Sequence, residues 1–436
     1  MSSLLKFFRV TKQRSSEIAV AVWGAVTFGA LLASYSVFRP VRDALVLDGD
    51  PDKIPWLFTA TFLAMLIVSP LWSAAIARFG RRRLVPFAFH AFALCALGFG
   101  ALVAIDVEPV WVGRVFYVWS SVFNMFVVSV FWSLLADLIG PEAARRVFGP
   151  IAAGGTIGAI AGPALTRALV EVIQVEGVLV ISAGLLELAV VGVYQVRRAG
   201  EAIEREAVPG DQPDAAAGGG AFDGLAQLVK SPYLAAIAGY VLCTAVAATF
   251  VYFEQVQLGR SELPDREART AFFAGIDLWT NVVALVLQTL LAAQLLKRLG
   301  PGLVLVLLPL AQAAGITMLV LAPSLSVLVF VQVSSRALTH GLTRPSRELL
   351  FTVVDRDEKY RAKNVIDTII YRFGDVASSW LYTGLLALGG TVSLVFATVP
   401  IVGIWVALAT VLGVGFRRRV EARETAAASR SAPSDP

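Results

Sequence analysis

Three stretches of this chain place charged and hydrogen-bonding residues on one side of a helix. At about 100° per residue, Tyr35, Arg39 and Arg42 fall within an arc of about 60°. Gln332, Arg336, His340, Thr343 and Arg347 fit within about 80°, and so do Asn364, Asp367, Tyr371, Asp375, Ser378 and Tyr382. Shorter stripes join Arg114, Tyr117, Ser121 and Asn124, and Asp277, Asn281 and Gln288. A guanidinium fork matches carboxylate or phosphate geometry, so the excess of arginine over acid on the first two stripes points to an anionic ligand. Arg39, Arg42, Arg336 and Arg347 are the expected clamp. Asp43, Asp367 and Asp375 can either pair with these arginines or take part in ion coupling. His340 is a candidate proton-responsive group or a hydrogen-bonded interior residue. Tyr35, Tyr117, Tyr371 and Tyr382 can stack on a planar group or simply pack helices.

The elements that carry these stripes are long and apolar. The chain has 436 residues, 57% hydrophobic and only 16% charged, where a soluble domain carries about 25% charge. Lipid is therefore the solvent for most of its surface. Runs of about 20 apolar residues, enough to cross the hydrocarbon core, occur at 18–47, 54–77, 84–105, 110–138, 147–170 and 177–196. Six more follow at 233–257, 271–296, 303–321, 325–351, 364–388 and 392–416. The fold class is thus an all-α membrane protein of about twelve transmembrane helices in two six-helix pseudo-repeats. Residues 1–196 form the N-terminal bundle, 197–231 a flexible cytoplasmic linker, 232–416 the C-terminal bundle and 417–436 a disordered tail. Pro40 is expected to kink the first helix at the level of its arginines.

Lys and Arg number 37 against 32 Asp and Glu, and the basic residues cluster in alternate loops. Arg81 to Arg83, Arg145 with Arg146, Lys297 with Arg298, and Arg417 to Arg419 fall on one side. Asp48, Asp50, Asp52, Asp106, Glu108 and Glu176 fall on the other, which places both termini in the cytoplasm. The loop with Arg260, Arg266 and Arg269 is a mild exception. The basic start of the chain resembles a signal peptide, but the run that follows is too long for one and is read as a retained first helix of an inner-membrane protein.

Several functions find no footing. Cys95 and Cys243 stand apart, so neither a disulfide framework nor a metal site is expected. No nucleophile elbow or metal-hydrolase motif supports an enzyme, no cofactor is implied, and the dispersed basic residues do not form a nucleic-acid surface. Gly154, Gly158 and Gly162 lack the Lys and Ser/Thr of a phosphate loop and are read as a close helix contact. The protein is expected to be monomeric in the bilayer.

Sequence echoes link the halves: IARFGRRRLV recurs in outline as LLKRLGPGLV, and LLADLIGPEAARRVFG as LLFTVVDRDEKYRAKN. A parallel six-helix duplication is the arrangement of the major facilitator fold, whose solute site lies near mid-membrane. Ala77 and Ser73 depart from the usual Asp and Gly of that fold's loop between helices two and three. Further, YSVFRPVRDALVL, FYVWSSVFNMFVVSVFWSLLAD and TRPSRELLFTVVDRDEKYRAKNVIDTIIYRFGDVASSW resemble the ATP/ADP translocases of plastids and obligate intracellular bacteria. The resemblance implies a nucleotide exchanger. It sets Arg42 and Asp43 on that family's Lys-Asp pair, Arg347 and Glu348 on its Lys-Glu, and Lys363 and Asp367 on its later basic and acidic positions. Arg replaces Lys twice, and Ser120, Ser121 and Asn124 stand where the nucleotide carriers have an acid.

The reading is a secondary transporter of an anionic solute, a nucleotide or other phosphorylated metabolite. Its alternatives are a carrier of a non-nucleotide organic anion and a non-transporting membrane scaffold. Interior arginine disfavours export of cationic drugs. Arg344 and Glu348, near a helix end, read as headgroup anchors.

Overall fold

A computed structural model describes residues 2–204, 228 and 230–431. Among the described residues there is no strand. In chain order, α1 spans Ser2–Val46, α2 Ile54–Phe79, α3 Arg81–Ala104, α4 Pro109–Leu138 and α5 Pro141–Glu204. Then come α6 (Pro232–Glu262), α7 (Arg266–Val286), α8 (Ala292–Leu321), α9 (Leu325–Leu338), α10 (Arg344–Leu350), α11 (Arg356–Val365) and α12 (Tyr371–Ser431). Single π turns at Leu287–Leu291, Thr339–Thr343 and Ile366–Ile370 join α7 to α8, α9 to α10 and α11 to α12.

Nine helical segments among the described residues are long and apolar enough to cross a bilayer. Two of these, 60 and 56 residues long, each hold two passes. The first breaks at Gln174 and the second at Gly300, where φ is positive and glycine is the cheap residue. The polar stripe lies on the helical segment 356–388, which ends at Gly389 and Gly390. The chain is therefore an all-α integral membrane protein, with nine membrane-length apolar segments among the described residues. Phe87, Leu94, Ile157, Val172 and Phe396 are all more than two-thirds exposed, a surface only acyl tails can cover.

The chain divides into two compact units, Met1–Ala215 with Leu263–Asn281, and Ala216–Glu262 with Val282–Pro436. The sequence alone assigns 263–281 to the second bundle. Charge explains the difference. Arg266 binds Asp48 at 2.8 Å and Asp106 at 3.0 Å, and Arg269 binds Asp48 at 3.1 Å. These pairs also account for arginines in a loop on the acidic side: carboxylates neutralise them.

In the first unit, α1 and the first pass of α5 touch backbone to backbone. A Cβ on Gly154 would meet the Ala25 carbonyl, one on Gly158 the Gly29 carbonyl and one on Gly162 the Ala33 carbonyl. Small residues permit this approach, and hydroxyls then bond across it. Thr166 donates to the Val37 carbonyl at 3.1 Å, and Ser34 and Ser182 share a 2.8 Å bond between α1 and the second pass of α5. In the second unit the corresponding passes, seven and eleven, also meet at a glycine, Gly374 against Ala245 and Leu242.

Gly158→Ala is accordingly expected to lower stability by about 1–3 kcal/mol, the cost of overpacking. The melting temperature of purified protein measures it. Gly98→Ala, whose Cβ meets nothing within 4 Å, should melt like the parent.

α1 runs helically through Pro40. Two expectations need amending. Helix continues to Glu204 into the expected linker, of which 205–227 and 229 lie outside the described residues. Residues 417–431, expected as a disordered tail, continue α12 because Ala, Glu and Arg are good helix formers; 432–436 lie outside the described residues.

Candidate solute-binding residues

The last turns of α1 bring together the polar residues of the first unit. Arg39 reaches Asp277 of α7 at 3.6 Å, and Asp277 is buried. The Arg39 Nε–H is buried with no acceptor among the described residues, a state rare in folded proteins. Arg42 donates Nε and Nη2 to one Asp43 oxygen at 2.9 and 2.6 Å and lies 5.0 Å over the Tyr117 ring. Tyr35 packs edge-on against Phe38 and parallel to Phe123, so its ring belongs to the aromatic core. Its hydroxyl end lies within electrostatic reach of Arg39. Asn124 on α4 is partly exposed and makes no hydrogen bond among the described residues. Asn281 spends its amide on the Ala159 carbonyl at 2.6 Å.

Arg167 on α5 belongs to none of the polar stripes, so sequence reasoning missed it. It is exposed, forms no ion pair among the described residues, and its Nη1 would sit 3.0 Å from a Cβ on Gly275, two residues before Asp277. Glycine leaves it that room.

In the second unit the residues singled out by resemblance pair crosswise. Arg347 binds Asp367 at 2.8 Å, and Lys363 binds Glu348 at 2.6 Å. The motif thus ties α10 to the segment around α11 with two ion pairs, and the Arg347 Nε–H is left buried without an acceptor. Asp375 is buried and binds Arg372 at 3.3 Å, with the Arg372 guanidinium over Tyr371 at 5.9 Å. Arg336 and His340 are partly exposed.

Arg344 differs from these. Its position near a helix end suggests an anchor, yet its electrostatic neighbours are Tyr371, Arg347, Asp367 and Glu348. Among the described residues it makes no ion pair or hydrogen bond, and more than a third of its surface is exposed. The two π turns explain why periodicity misplaces it. A π turn inserts an extra residue per turn and tends to occur at functional sites. Arg336 precedes the turn Thr339–Thr343, while Arg344 and Arg347 follow it. Asp367 lies inside the turn Ile366–Ile370, so the 3.6-residue stripe from Asn364 to Tyr382 is not one continuous face.

Comparison with known proteins agrees with this architecture. The profile of the Major Facilitator Superfamily matches residues 19–350, and that of the TLC ATP/ADP transporter matches 304–416, the region of Arg344, Lys363 and Asp375. The chain is similar to ADP,ATP carrier protein 1 of Chlamydia muridarum, 25% identical over 235 residues, 48% of this chain and 44% of that protein. It is also similar to ADP,ATP carrier protein 1 of Chlamydia trachomatis, 24% identical over 224 residues, 45% and 42% of the two chains. It therefore spans less than half the length of these curated relatives. Among solved structures, the nucleoside transporter NupG superposes with a TM-score of 0.61 at 15% identity, covering 93% of this chain and 99% of that one. A bacterial homologue of the iron transporter ferroportin gives 0.60 at 15% identity over 93% and 98%; both establish the fold. With long apolar helices throughout, a glycine contact in each half and a profile match over most of its length, this chain belongs to the Major Facilitator Superfamily of membrane transporters.

Proposed function

We propose that this transporter is a secondary active carrier of an anionic solute, a nucleotide or another phosphorylated metabolite, exchanged by alternating access in the manner of the ATP/ADP carriers it resembles. The observation that carries the reading is Arg344, an exposed guanidinium without an acceptor beside a second guanidinium, Arg347. Phosphate oxygens are the acceptors such a fork is shaped for. The further proposed donors and rings are Arg39, Arg42, Tyr35 and Asn124 in the first unit and Arg336, Arg347, His340 and Tyr371 in the second. Asp43, Asp277 and Asp367 hold Arg42, Arg39 and Arg347 in place. The site residues act as binding groups and carry out no bond-making chemistry. The proposed location is a bacterial inner membrane with both termini cytoplasmic, following the basic loops.

Asn124 supports a second reading, a carrier of a non-nucleotide organic anion. It is a partly exposed, unbonded amide where the nucleotide carriers have an acid.

Thermal-shift titration of the purified protein with ATP, ADP, inorganic phosphate and succinate separates the two. Ligand at about 100 times its Kd should stabilise by about 2.7 kcal/mol. Liposomes carrying the protein and loaded with ADP should then take up labelled ATP by exchange. Stabilisation by succinate alone selects the second reading, and silence from every anion, in both assays, refutes the first.

A further inference from the structure

Within an apolar run of the second unit, Glu254 is a carboxyl that no cation matches among the described residues. Glu254 lies on α6 within the apolar run 233–257 and forms no ion pair among the described residues. Its Oε1 accepts a hydrogen bond from the Tyr382 hydroxyl at 2.9 Å, and that hydroxyl accepts one from Gln257 Nε2, also at 2.9 Å. The Tyr382 ring is 1% exposed, parallel to Phe253 at 4.3 Å and edge-on to Phe250 at 5.5 Å. The phenol is thus fixed by packing, and its hydroxyl is aimed at the carboxyl.

The elements packed against α6 bring no counter-charge to it. On α12, Arg372 is committed to Asp375. On α9, Gln332 is turned to Gln255 at 2.7 Å. Asp367 of the π turn is held by Arg347, and the basic residues of α8, Lys297 and Arg298, precede its break at Gly300. Tyr382 is the single titratable group bonded to Glu254.

A carboxylate with neutral partners inside a membrane helix is costly to keep ionised, and intramembrane acids without cations are a hallmark of proton pathways. Glu254 is only partly buried, which leaves one edge of the carboxyl open to a proton donor. Hydronium gives its proton to the free Oε2 and leaves as water, while Oε1 keeps its bond from Tyr382. We infer that Glu254, oriented by Tyr382 and Gln257, is a proton-binding site that couples movement of the anionic solute to movement of a proton. This rests on the anion-carrier reading above and adds its energy source.

Two measurements on the full-length protein test it. Infrared difference spectra across a pH jump should show the C=O band of a protonated carboxyl that shifts in heavy water and is missing in Glu254→Gln. An unchanged band in Glu254→Gln overturns the assignment, and this readout needs no transport. In liposomes, an imposed inward proton gradient should raise accumulation of labelled ATP by about tenfold per pH unit for one proton per cycle. A protonophore should abolish the rise, and Tyr382→Phe should weaken it. Uptake by the parent protein that ignores the gradient sinks the coupling. No uptake of any labelled anion sinks the carrier reading instead, and the infrared band then decides the proton site alone.

Discussion

Arg372→Gln is expected to destabilise the protein by about 3 kcal/mol or more, the cost of stripping one partner from a buried ion pair. Asp375 is 8% exposed, and the cation that holds it is Arg372 at 3.3 Å. Removing the guanidinium leaves a desolvated carboxylate among neutral groups. Adding Asp375→Asn removes that charge as well, and because a buried pair contributes little net stability, the double variant should recover most of the loss. Melting temperatures of the four proteins in one detergent read the cycle. If both single variants and the double variant melt alike, the pair does not govern stability here. The same four proteins decide between the two roles that the sequence leaves open for Asp375. A double variant that is stable and transports makes the acid a partner for Arg372; one that is stable and inert makes it part of the coupling.

The crossings were legible because lipid imposes a simple rule: about 20 apolar residues per pass. The polar run 364–388 was read as a further pass because its polar residues recur while the opposite face stays apolar. The close contact of α1 with α5 was also legible, in Gly154, Gly158 and Gly162. What the sequence hid has specific causes. Helical wheels assume 3.6 residues per turn, and the π turns at Thr339–Thr343 and Ile366–Ile370 break that assumption between Arg336 and Arg347 and across Asp367. Spacing also cannot tell a free guanidinium from a neutralised one. Arg347 and Arg344 are three residues apart, yet one is held by Asp367 and the other is not. Glu254 was readable in principle, as an acid near the end of an apolar run, but only Tyr382, more than a hundred residues later, shows what faces it.

The contrast between Arg344 and Arg347 yields the second large expected effect. Arg344 makes no ion pair, so Arg344→Gln leaves no carboxylate stranded and should melt within a degree or two of the parent, as substitutions without a lost partner do. Its loss should fall on binding. A hydrogen bond from a charged donor contributes about 1.5–3 kcal/mol, which lowers affinity for a phosphorylated anion by roughly 10- to 150-fold. Arg347→Gln, in contrast, frees Asp367, whose side chain is 34% exposed, so hydration softens the penalty and both stability and affinity should drop moderately. Arg82→Gln, in the first turn of α3, should leave affinity unchanged. Titrating ATP against each variant by thermal shift gives affinity and melting temperature in one experiment. Should Arg344→Gln bind as tightly as Arg82→Gln, the guanidinium is a headgroup anchor and the anion site lies elsewhere. If it instead melts early with affinity intact, Asp367 and Glu348 draw on its charge for stability, and the crosswise pairs are a three-cation network that holds the fold rather than the solute.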